Sequence, residues 1–198
     1  DHPDVCGISI ATRPDCLGIE VLDLLAKLRD EYPDKFLWIE LGLQTIHEDT
    51  ARYIRRGYPL SCFEQACADL KALQIPFIVH TILGLPGETN IQLLQTMDYL
   101  NRIQPFGIKL QLLHVLKDTD LADDYLAGKF EVLTFDAYID LVISCLAHLS
   151  PDIVIHRVTG DGPKNLLIAP VWSLHKRKVL NTISHEMKIL DIKQGNLL

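Results

Sequence analysis

Polar side chains recur in this sequence at the far ends of apolar runs. Thr12 and Arg13 follow the run 5–11, and Gln44 and Thr45 follow 36–43. His80 and Thr81 interrupt 77–83, and Gln111 and His114 interrupt 107–115. His156 and Arg157 repeat the feature within 153–158. If these runs are parallel strands, the side chains share one rim, where donors from several strands can converge on a polar ligand. Singly, each would be an ordinary satisfied core residue; one set per strand is harder to dismiss. His80, His114 and His156 could hold a divalent metal for a hydrolase. No HxH or HxxxH pair joins them, and no ligating Asp or Glu is expected with them on the strands. A non-catalytic binding module is the other alternative. GxGxxG after the first run, GxxxxGK[ST] and GxSxG are all missing, which removes the dinucleotide, P-loop and hydrolase-elbow readings.

Such a rim needs strands to carry it. The stretch IPFIVHTILGLPGET supplies the centre: an apolar, β-branched run suited to a strand buried on both faces. Gly84, Pro86 and Gly87 then force a turn that a ligand can approach, and Thr89 caps a helix from Asn90. Run centres near Ile8, Ile39, Ile78 and Leu110 recur at βα spacing. The helices between them are expected at 19–31, 47–56, a segment capped by Ser61 with Glu64 as its capping box, and 91–103. Right-handed crossovers make the sheet parallel. Four units are too few for a closed barrel, so the sheet is open or incomplete. Beyond residue 116 the rhythm changes. A short polar helix at 118–128, a long one at 134–149, the strand 153–158, the apolar LLIAP and a last helix at 172–190 follow.

With 198 residues, 48% of them apolar, one domain is the default. The net charge of -7 argues against attachment to nucleic acid by charge alone, without excluding a local basic groove. Lys176-Arg177-Lys178 reads as a solvated basic face, the alternatives being a cover for the pocket mouth or a contact for an acidic partner such as RNA. No apolar run nears the ~20 residues that cross a bilayer, and no signal peptide opens the chain, so a cytoplasmic protein is expected. Cys6, Cys16, Cys62, Cys67 and Cys145 form no CxxC pair and are read as buried or half-buried thiols. The chain starts Asp1-His2-Pro3, without Met, and enters a strand at once. That reads as the middle of a longer polypeptide, with the strand edge at 5–11 open to pair with another chain in an edge-strand dimer.

ISIATRPD, ELGLQT with Arg-Arg-Gly some dozen residues on, and HTILGLPGET, in that order and spacing, resemble the radical SAM core. The match is to the branch of oxygen-independent coproporphyrinogen oxidases and elongator-type acetyltransferase subunits. LHVLKDTDLADDYLAG, HRVTGDGP and LLIAPVWSLHK resemble the YhcC-like members. The resemblance implies an α/β fold, a partial TIM-type barrel of parallel βα units. Residues 1–116 would be the C-terminal part of the radical SAM core, and 117–198 an α-rich extension. It implies S-adenosylmethionine (SAM) and a 4Fe-4S cluster as cofactors. SAM is cleaved reductively for a radical modification of an unknown substrate, RNA among the possibilities. By the same resemblance Gln44 meets the SAM ribose, and Arg56 the methionyl carboxylate. His80 lies near the nucleoside, and Leu113 and His114 edge the adenine. Thr12 or Arg13 takes over a ribose contact, because Ala11 stands where relatives place Glu. The CxxxCxxC loop that binds the cluster is not in this sequence, so the chain is expected to be a fragment, inactive alone, with no metal ligands of its own.

Overall fold

The computed structural model describes residues 2–198. Five parallel strands form one sheet in the order β1 (Gly7–Thr12), β2 (Phe36–Gln44), β3 (Phe77–Leu83), β4 (Gly107–Leu112) and β6 (Val154–Arg157). Helices α1 (Ile19–Glu31), α2 (Glu48–Tyr53), α3 (Leu60–Ala72), α4 (Asn90–Ile103) and α6 (Phe135–His148) fill the connections. A short antiparallel pair, β5 (Val115–Leu116) with β7 (Leu167–Ala169), sits apart, together with α5 (Asp120–Leu126) and the last helix α7 (Lys176–Ile189). This is the α/β partial barrel expected.

Alternation along β2 sets the two faces. Leu37, Ile39, Leu41 and Leu43 are buried, and pack with Phe63 and Leu70 of α3 and Met97 and Leu100 of α4. Each such side chain contributes about 1.5–3 kcal/mol by leaving water. Trp38, Glu40, Gly42 and Gln44 point the other way, to the inner face, and are only half-buried. Sheet order leaves β1 and β6 as edges, and Ile8 on β1 stays 53% exposed.

Several boundaries differ from the sequence reading. Helix α2 stops at Tyr53, because Arg55 (φ 55°) and Gly57 (φ 86°) take the left-handed conformation and swing Arg56 back under the sheet. Helix α3 starts at Leu60 and Ser61 caps nothing. Glu48 Oε1 instead accepts from the Leu60 amide at 2.6 Å, so a carboxylate from another element does the capping. Glu64 accepts from Tyr99 Oη. Thr89 does cap α4, in a capping box with Gln92. Strand β4 ends at Leu112, and the strand at 153–158 joins the core sheet beside β4. The last helix is preceded by a 3-10 turn, Val171–Leu174. Cys6 and Cys16 are exposed, unlike the buried Cys67 and Cys145.

Candidate functional site

A hollow of about 570 Å³ opens where the strands end. Arg13, Gln44, Arg56 and Leu113 line it, with Ile82 and Leu85 as an apolar floor and Tyr58 beside them. Four of the residues singled out in the sequence therefore meet here. Gln44 does so through its backbone. At φ 65° it leaves the strand conformation, and the β2–β3 register shifts between Gly42 and Gln44. A Cβ on Gly42 would stand 2.8 Å from the Gln44 amide nitrogen, so the glycine gives that side chain room.

The two arginines differ. Arg13 lies over the Tyr58 ring and pairs with Asp15 at 2.6 Å, both side chains well exposed; that carboxylate holds Arg13 firmly protonated. Arg56 is not the solvated helix-end charge that its sequence context alone allows. Its side chain is 1% exposed and donates to the carbonyls of Leu43, Thr45 and Tyr58 and to Glu48. Its Nη1 is committed to the backbone of the LGLQT turn. Glu88 of GLPGET accepts from Thr45 Oγ1, which ties the two motifs together, and burial pushes the Glu88 carboxyl up. Helix α5 forms the outer wall: Tyr53 donates to Asp124 at 2.7 Å, and Arg55 pairs with Asp120.

Thr12, His80 and His114 do not border the hollow. Thr12 packs its hydroxyl against the Arg13 carbonyl at 3.5 Å. His114 turns toward the segments that follow β6: its Nε2 lies 3.2 Å from Ser173 Oγ in the 3-10 turn 171–174, and its ring lies against Gly160 and Gly162 of the loop after β6. Burial holds His114 below the usual imidazole range. His80 sits one layer beneath the rim. Its Nε2 is 2.6 Å from Glu40 Oε2, and its Nδ1 is 2.9 Å from Gln111 Nε2. Burial keeps His80 largely neutral against the opposing pull of Glu40. With Gln111 donating to Nδ1, the proton is on Nε2 and is given to Glu40.

That lower layer was missed. Ser9 donates to Glu40 Oε1 at 2.8 Å, and Lys109 pairs with Glu40 Oε2. Burial would raise the Glu40 carboxyl, but hydrogen bonds from Lys109, Ser9 and His80 outweigh it and hold the group at about 2. Glu40 is thus a strand carboxylate that the sequence reading did not place beside the histidines, and of the three histidines it bonds only His80. A charged residue at alternate positions inside FLWIELGL and GIKLQLL was the available signal. His156 lies instead among Trp38 and Phe106, edge-on to both, with its Nε2 buried and unpartnered. Among the described residues no group of three His, Cys, Asp or Glu could hold a metal ion, so the hydrolase reading lacks a centre.

A model described as the radical SAM superfamily matches residues 2–100, and a radical SAM C-terminal domain model matches 105–189. The chain is 42% identical over 192 residues to Bacillus subtilis YtqA, covering 97% of this chain and 59% of YtqA. It is 32% identical over 169 residues to Escherichia coli YhcC, covering 85% and 54% respectively. The chain thus spans 59% and 54% of the length of these two curated relatives. Among solved structures, archaeal Methanocaldococcus infernus Elp3 with an N-terminal deletion superposes with TM-score 0.83 at 18% identity. The match covers 96% of this chain and 43% of that one, and bears on the fold alone.

Proposed function

Since the chain belongs to the radical SAM superfamily, we propose that its parent protein cleaves SAM reductively to modify a substrate by radical chemistry, and that the hollow at the strand ends is where SAM lies. The observation that carries this reading is the meeting of Gln44, Arg13, Arg56 and Leu113 around one apolar-floored hollow. Gln44 would hydrogen-bond the ribose. Leu113, Ile82 and Leu85 would take the adenine. Arg13, whose Asp15 contact is exposed and exchangeable, is the guanidinium free to turn to the methionyl carboxylate, with Arg56 setting the turn behind it. His80 and Thr12 would act on this site only through neighbouring groups. The residues present do not fit the 4Fe-4S cluster: Cys67 and Cys145 are buried, with thiols pushed up to about 12, and the other cysteines make no three-ligand set. In this proposal the cluster ligands lie outside the described residues, and the chain alone is inactive. The protein would be cytoplasmic, and RNA is one substrate class to try.

The test uses the gene-length protein, reconstituted anaerobically with iron and sulfide and reduced with dithionite in the presence of SAM. Release of 5′-deoxyadenosine is expected, with the SAM KM raised about tenfold or more in Gln44→Ala. A cluster-free protein that holds stoichiometric zinc and releases no 5′-deoxyadenosine would overturn the proposal.

A further inference from the structure

Five strands each bring a polar side chain toward the inner face in one row: Ser9, Glu40, His80, Lys109 and Arg157, from β1, β2, β3, β4 and β6. His80 pairs in register with Lys109, and Lys109 with Arg157. The first four are joined through Glu40. The Arg157 side chain, half-buried at the end of the row, makes no side-chain hydrogen bond or close ion pair among the described residues; Asp161, which pairs with Lys176, acts on it from farther off. The cations around it are all matched. Lys109 pairs with Glu40 and Lys176 with Asp161. At the rim Arg13 has Asp15, Arg55 has Asp120 and Arg56 has Glu48. Arg157 lines its own hollow of about 360 Å³ with His156, Thr159 and Lys176, sharing no residue with the rim hollow.

A guanidinium whose neighbouring carboxylate, Asp161, is already held by Lys176 keeps its donor fork open to a further anion. Its planar fork matches carboxylate and phosphate oxygens two at a time. The chain as a whole is at -7 and repels anions, so an anion arriving here needs a local excess of positive charge, which Arg157 and Lys176 supply against the single carboxylate of Asp161. We infer that the hollow beside β6 anchors a carboxylate or phosphate group of the substrate, with Arg157 as its principal ligand. The anchoring group need not be part of SAM. Only the word substrate rests on the radical SAM reading; the anion subsite does not.

Inorganic pyrophosphate and tricarballylate, each titrated at constant ionic strength, serve as probes, followed through the Arg157 Nε–H NMR signal and by calorimetry. S-adenosylhomocysteine is titrated in parallel. At least one anion is expected to bind, about tenfold or more weakly in Arg157→Gln, between that variant and wild type in Arg157→Lys, which keeps the charge and loses the fork, and within about threefold of wild type in Arg177→Gln. S-adenosylhomocysteine affinity should stay within about twofold in Arg157→Gln. Binding of pyrophosphate alone assigns a phosphate-bearing substrate, and binding of tricarballylate alone a carboxylate-bearing one. The inference is overturned if neither anion binds, if binding survives Arg157→Gln, or if that variant also loses S-adenosylhomocysteine while melting like wild type. Anion binding without S-adenosylhomocysteine binding to wild type would instead sink the SAM assignment and leave the anion subsite standing.

Discussion

Arg13 meets Asp15 two residues along the chain, with both side chains open to water. Lys109 meets Glu40 across β3, 69 residues away, and both are nearly closed to water, at 16% and 13% exposed. The two pairs use the same chemistry at adjacent levels of one sheet. The rim pair is local, screened and easily exchanged, which suits residues that must change partners when a ligand enters. The lower pair is long-range and partly desolvated, and it holds strands β1 to β4 at a common level beneath the hollow. The proposed SAM site would use both: a fixed floor and a movable rim.

Arg56 blurs that contrast, because it belongs to the rim yet is buried. Arg56→Ala should cost about 3–5 kcal/mol in urea unfolding, since Glu48 and three backbone carbonyls lose their partner. A loss below about 1 kcal/mol would return Arg56 to the movable set. Glu40→Gln should cost about 2–3 kcal/mol, because Lys109 keeps its charge with no carboxylate facing it.

A smaller effect separates the layers by pH. Burial holds His80, His114 and His156 below the ordinary imidazole value, so the unfolded chain takes up protons first as pH falls. Their contribution is complete above about pH 6.5 and is lost progressively below it; a drop of about 1–2 kcal/mol between pH 7.5 and 5.5 is expected by urea titration. The rim carboxylates Asp15 and Asp124 are held below their usual range, so their contribution is kept above it and fails only in stronger acid. Unchanged stability between pH 7.5 and 5.5 would remove this distinction.

Which parts were legible in the sequence follows the same division. Helix α1 and strand β3 were read to the residue, because apolar periodicity and the breakers Pro33 and Gly84 lie within each segment's own sequence. Thr89 was legible because its capping partner is three residues on. Ser61 misled because the group that caps α3 comes from Glu48, twelve residues before Leu60. The Glu40 row depends on register between strands, which no single segment encodes. His114 was drawn off by Ser173, from a turn 59 residues later. Gln44 was legible from its place at a strand end and Arg56 from motif resemblance, but the burial of Arg56 needed the fold.

The left-handed backbone at Gln44 restricts what evolution can try at this corner. Glycine would sit there without strain but would leave the hollow with no carboxamide, while β-branched residues are refused by the backbone before any ligand is considered. Few side chains combine tolerance of that conformation with a hydrogen-bonding head, asparagine being the nearest substitute. Divergence among relatives toward new substrates would therefore leave this position alone and accumulate in walls such as α5, whose grip on the hollow is exposed and easily rewritten.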